Sequence, residues 1–159
     1  MTEKDRRYPF WALWTGLLFL LIWVIGLLPP VLEHLSYGNA ASSIRSGYRL
    51  LCHGIPDRCP LLFGRPAAVC MRCSGIYVSL FLGCSTVFPL LRYVLEWRTV
   101  LITAALVTFT MVFQWIMEFT GITSSSTVLQ VATGFLWGTG LSLLFCRSID
   151  ILRERSRIS

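Results

Sequence analysis

The chain has 159 residues, 55% of them hydrophobic and only 14% charged, with a formal charge of +6. A soluble domain carries about 25% charged residues, so this composition, with its mean hydropathy of +0.66, excludes an ordinary water-soluble globule and predicts a single membrane domain, residues 1–159. The positive balance does not point to nucleic acid, because the basic residues are arginines flanking apolar runs, with no basic run interleaved with aromatics.

The first apolar run, Phe10 to Leu28, has 19 uncharged residues and follows Lys4, Arg6 and Arg7. It is longer than the core of a signal peptide, and "GLLPPVLEHL" offers no small-residue cleavage site, so a retained helix is expected. The segment from Pro30 to Cys73 is more polar. Within it, "NAASSIRSGYRLLCH" places Ile44, Tyr48, Leu50 and Leu51 close to helical spacing, which predicts a short helix lying on the membrane surface or dipping into it. "GIPDRCP" then breaks the pattern with glycine and two prolines, and "RPAAVCMRCSG" leads into the second run. Three further runs follow: Gly75 to Leu91, Val100 to Met117 and Val128 to Cys146, of 17, 18 and 19 residues. A bilayer span needs about 20 apolar residues, with 17 tolerated. Unpaired backbone groups facing lipid are too costly for irregular structure. The predicted fold class is therefore all-α: four transmembrane helices with a short interfacial or re-entrant helix between the first and second.

Four spans put both termini on one side, with the turn "RYVLEWR". That side collects nine of the 14 basic residues, and the other holds Arg45, Arg49, Arg58, Arg65 and Arg72. By the positive-inside bias the termini are cytoplasmic and segment 30–73 faces outward from the cytoplasmic membrane.

That outer segment gathers Cys52, His53, Cys59, Cys70 and Cys73. The C-x-x-C spacing of Cys70 and Cys73 lets both sulfurs meet one metal ion or each other, and Cys52 and His53 return to them through the Gly/Pro turn. Zinc accepts three thiolates and one imidazole in a tetrahedron, although the side chains of a Cys-His dipeptide diverge. Three chemistries stay open. The cysteines can hold a soft metal, staple the loop as disulfides, or exchange disulfides, since a C-x-x-C at a helix N-terminus has a lowered thiol pKa and Arg72 adds positive charge. Cys84 and Cys146 lie within spans, where cysteine behaves as a small hydrophobe, and no chemistry is expected of them.

Gln114 and Glu118 lie four apart on the third span and share a face; Gln130 begins the fourth. All three fall at the membrane level of the cysteine segment, where a carboxylate faces either headgroup water or a protein interior, there to pair with Arg72 or ligate a cation. Gly75, Ser79 and Gly83 on the second span, and Gly134 and Gly138 on the fourth, have the spacing that lets helix backbones approach closely.

The residues "CHGIPDR", "VCMRCSGIYVSLFLG" and "ATGFLWG" together resemble the bacterial and archaeal membrane family known as domain of unknown function 2085. The matching positions are Cys52, His53, Pro56, Arg58, Cys70, Arg72, Cys73, Ser74, Gly75, Ile76, Tyr77, Thr133 and Gly134. The resemblance implies a polytopic membrane protein and brings no reaction with it. It also implies that Cys52, His53, Cys70 and Cys73 form a unit. There are departures. Family members often have Asp and then Gln where Gln114 and Glu118 stand, Arg at Gln130 and Ser at Cys59. This weakens any ion or proton role for an Asp–Arg pair and sets Cys59 apart.

The leading reading is a membrane protein whose outward Cys52, His53, Cys70 and Cys73 bind Zn²⁺ or a similar soft ion, supported by Arg58, Arg72, Tyr77, Gln114 and Glu118. The rivals are a membrane thiol–disulfide oxidoreductase, an accessory or assembly subunit of a larger membrane complex, and a small transporter. The expected partners are the lipid bilayer and either other membrane subunits or further copies of the chain, without nucleic acid.

Overall fold

The computed structural model describes residues 10–52, 54–122 and 126–156. Four helices in it are long and apolar enough to cross a membrane. They are α1 (Phe10–His34), α3 (Met71–Leu91), α4 (Trp97–Phe119) and α5 (Thr127–Ser156), and the shorter α2 (Gly38–Tyr48) lies between α1 and α3. The chain is thus an all-α membrane protein, and exposed side chains such as Leu18, Leu21, Phe109 and Leu136 give its spans their lipid-facing surface.

The helix α1 runs past its expected end at Leu28 and through Pro29 and Pro30. Proline has no N–H, so Pro30 leaves the carbonyl of Gly26 without its helical partner. The Ala68 amide takes that place, donating to the Gly26 oxygen at 3.0 Å. Gly26 also has no room for a side chain: a Cβ there would lie 2.7 Å from Val69 Cγ1 and 2.9 Å from Tyr48 Cε1. A missing hydrogen bond and a missing Cβ together dock the chain before α3 against α1.

The segment between α1 and α3 is held at three further points. Tyr48, buried at the end of α2, donates its hydroxyl hydrogen bond to the Ile22 carbonyl. Glu33 pairs with Arg45 of α2 at 3.0 Å and with Arg65 at 3.4 Å. Arg65 belongs to a small hairpin in which Leu61–Leu62 pairs with Arg65–Pro66. Both turn residues, Phe63 and Gly64, have positive φ (54° and 72°), as a two-residue hairpin turn requires, and the Phe63 ring stacks on His34 at 4.8 Å.

The tightest helix seam joins α3 to α5. A Cβ on Gly75 would meet the Val131 oxygen at 2.5 Å, and one on Gly134 would meet the Arg72 oxygen at 2.3 Å. Gly138 faces Ile76 and Ser79, and Gly83 faces Ser142. The two small-residue stripes read from the sequence are therefore the two sides of one seam, where backbones touch because nothing stands between them. Along α3 the winding loosens into a π turn over Gly83–Val87 before the last turn, Phe88–Leu91. Pro89, which cannot donate to the Ser85 carbonyl, sits just beyond it. A buried cluster of Ala12, Cys84, Phe88, Val100, Leu143 and Cys146 fills this end of the bundle, and Tyr48, Ala68 and Val69 form a second one under the outer segment.

Candidate functional site

Cys70 is the N-cap of α3. Its backbone is extended (φ −76°, ψ 165°), and its sulfur accepts the Cys73 amide at 3.4 Å, satisfying a donor that the helix start leaves unpaired. One helical turn then places the Cys73 sulfur beside it. Cys52 arrives from the end of α2, where its amide donates to the Tyr48 carbonyl at 2.8 Å. Its sulfur accepts the Cys70 amide at 3.3 Å. The docking of residues 67–69 on Gly26 is what lays the start of α3 against Cys52. As a result the sulfurs of Cys52, Cys70 and Cys73 all lie within 4.8 Å of one another.

None of the six cysteines is disulfide-bonded. Hydrogen bonds from the Cys70 and Cys73 thiols, helped by the amides of Cys70 and Gly54, lower the Cys52 pKa against the opposing effect of burial. Donating to Cys52 raises that of Cys70. Cys52 is the buried member of the trio. Cys59 stands apart. Its thiol donates to the Ile55 carbonyl at 3.2 Å, and burial, with the neighbouring Cys52 and Cys70, pushes its pKa up to about 11. His53 lies outside the described residues.

Near the sulfurs, a polar chain centred on the buried side chains of Glu118 and Gln114 joins three helices. Arg72 Nη2 is 2.9 Å from Glu118 Oε2, Arg58 Nη1 is 3.9 Å from the same oxygen, and the Glu118 side chain is only 3% exposed. Gln114 Nε2 donates to Glu118 Oε1 at 2.5 Å, and Thr133 Oγ1 donates to Gln114 Oε1 at 2.6 Å. The chain therefore links the outer segment, α3, α4 and α5. Of the roles expected for Arg72, the pairing of its guanidinium with Glu118 is present. Tyr77, one turn after Cys73, packs against the cluster of Tyr48, Ala68 and Val69, and Gln130 is buried one turn before Thr133.

Two participants had little signal in the sequence. Thr133 entered only through the resemblance, although a hydroxyl near Gln130 on the same helix marks the polar level. Glu33, which ties α2 and the hairpin together, carries no motif that singles it out.

Residues 52–144 match the model of the family described as "Predicted membrane protein (DUF2085)", which covers more than half of the chain. The chain belongs to this family. The match opens on Cys52 and takes in every residue of the sulfur trio and of the polar chain, while α1 and α2 precede it. A shorter stretch of 45 residues is 40% identical to an uncharacterized protein of Methanocaldococcus jannaschii; it makes up 28% of this chain and 28% of that relative. No solved structure matches the chain.

The trio suits a thiophilic ion. Sulfur–metal bonds of about 2.3 Å in a tetrahedron put sulfurs about 3.8 Å apart, inside the 4.8 Å envelope found here. Thiolates select soft ions such as Zn²⁺ or Cu⁺ over Mg²⁺ or Ca²⁺.

Proposed function

We propose that this protein is a cytoplasmic-membrane protein that binds a soft metal ion, most simply Zn²⁺, through Cys52, Cys70 and Cys73, with His53 as the fourth ligand. The observation that carries the reading is the convergence of three sulfurs from two separate chain segments. Convergence of this kind needs the whole outer segment to be docked on α1, and a casual staple would not need it. The site faces outward and both termini are cytoplasmic, because nine of the 14 basic residues lie on the side of the termini. Glu118, held by Arg72, Arg58 and Gln114, fixes the start of α3 and so the spacing of Cys70 and Cys73.

Thiol–disulfide exchange is the weaker reading. One of the three sulfurs, that of Cys52, is 5% exposed, out of reach of a bulky disulfide partner, whereas a bare ion needs no such access. The deciding experiment is metal analysis of protein purified under reducing, chelator-free conditions. About one ion per chain is expected, lost in Cys52→Ser, Cys70→Ser and Cys73→Ser and retained in Cys59→Ser. A metal-free wild-type protein that also fails to take up added Zn²⁺ would sink the reading.

A further inference from the structure

The sulfurs of Cys84 and Cys146 touch. Cys146 Sγ donates to Cys84 Sγ at 3.3 Å, both residues are 0% exposed, and they are 62 positions apart in the chain. Apolar walls around them are formed by Ala12, Phe88, Val100 and Leu143. The contact belongs to the end of the α3–α5 seam opposite the sulfur trio, about 20 Å along α3 from Cys70 at 1.5 Å per residue. The approach is enforced on both flanks. Gly83, the residue before Cys84, has Ser142 Oγ where a Cβ would stand, and Ser142 is one helical turn before Cys146. Cys84 also lies in the π turn of α3, a stretch whose hydrogen bonds depart from the regular ladder.

We propose that Cys84 and Cys146 are a modification site, at which a hydroperoxide closes a disulfide between α3 and α5 inside the membrane. One thiol, losing its proton, attacks the distal oxygen of the peroxide. The O–O bond breaks and leaves a sulfenic acid and an alcohol, or water when the oxidant is hydrogen peroxide. The second thiol then attacks that sulfur, the S–O bond breaks, and water departs. In sum, two thiols and one hydroperoxide give one disulfide, one alcohol and one water. The sulfurs need to close from 3.3 Å to about 2.05 Å. A hydroperoxide suits the site because it is uncharged and enters an apolar layer that charged thiol reagents cannot. The same barrier keeps soluble reductants out, so the tie, once formed, persists while the bundle stays folded. This inference is independent of metal binding at the other end of α3.

The test uses the full chain in liposomes, exposed in separate arms to hydrogen peroxide and to cumene hydroperoxide. The sample is acid-quenched, denatured and alkylated, and its peptides are weighed without reduction. A linked pair of the Cys84 and Cys146 peptides in either arm is expected, absent from Cys146→Ala. In the folded protein it should withstand a charged phosphine reductant, and after denaturation it should yield to it. Recovery of Cys84 and Cys146 as separate alkylated thiols or separate sulfinic acids, at doses that oxidise the outer cysteines, overturns the proposal. The native-chain result stands on its own should Cys146→Ala fail to fold.

Discussion

Gly134→Ala should damage both the bundle and the cysteine site, although it adds a single methyl group and touches no candidate ligand. The new Cβ would stand 2.3 Å from the Arg72 carbonyl oxygen, where ordinary contact begins at 3.4 Å, so α3 and α5 must part by about 1 Å to relieve it. The obstacle is backbone and cannot rotate away. Overpacking of this kind costs about 1–3 kcal/mol, and the rigid neighbour puts it at the upper end. Alanine's better helix propensity returns about 1 kcal/mol, which leaves a net loss of about 2 kcal/mol. For a chain of this size that is a fall of about 4–8 °C in melting midpoint, to be followed by tryptophan fluorescence in detergent. Arg72 stands between Cys70 and Cys73, so metal content should fall with it. Gly140→Ala is the matched control. Its Cβ would meet the end of a side chain, Val107 Cγ2 at 2.5 Å, which can turn aside, and its stability should stay within about 1 kcal/mol of wild type. Equal midpoints for the two variants, or a lower one for Gly140→Ala, would refute the reasoning.

Two further outcomes follow from the site. Glu118→Gln leaves the Arg72 guanidinium buried without its counter-charge and should cost about 3–5 kcal/mol; adding Arg72→Met should recover part of that loss, and strictly additive effects in denaturant unfolding would show that the pair is not coupled. Cys59, with its pKa pushed up to about 11 by burial, stays a neutral thiol through about pH 9, so its alkylation, followed by peptide mass, should be slow there and accelerate only as pH rises towards that pKa; a rate already at its plateau at about pH 9 would contradict the assignment.

Much of this arrangement was legible in the sequence, and for identifiable reasons. Hydropathy located four spans because lipid demands long uncharged helices. The stripes of Gly75, Ser79, Gly83, Gly134 and Gly138 announced a close helix contact because side-chain size sets how near two backbones come. Gln114 and Glu118 stood out because polar groups are costly at that depth. What stayed hidden depended on tertiary register. Pro29 and Pro30 read as a helix end, yet α1 continues through them because Ala68, far along the chain, takes up the Gly26 carbonyl. The Phe63–Gly64 hairpin rests on a non-glycine residue with positive φ, which composition does not favour. The contact of Cys84 with Cys146 depends on the offset between two helices, and no local pattern encodes it.

The seam also has a consequence for the order of assembly. Its two halves are separated in the chain by α4, and the half on α5 is made last. Until α5 arrives, Gly75 and Gly83 lack the backbone and side chain they pack against, and Gln114 lacks Thr133. Until then the three cysteines have α1 and α2 beside them but lack the Gln114–Thr133 link of the polar chain near them. Closure of the seam, and with it the link from Gln114 to Thr133, therefore waits for α5.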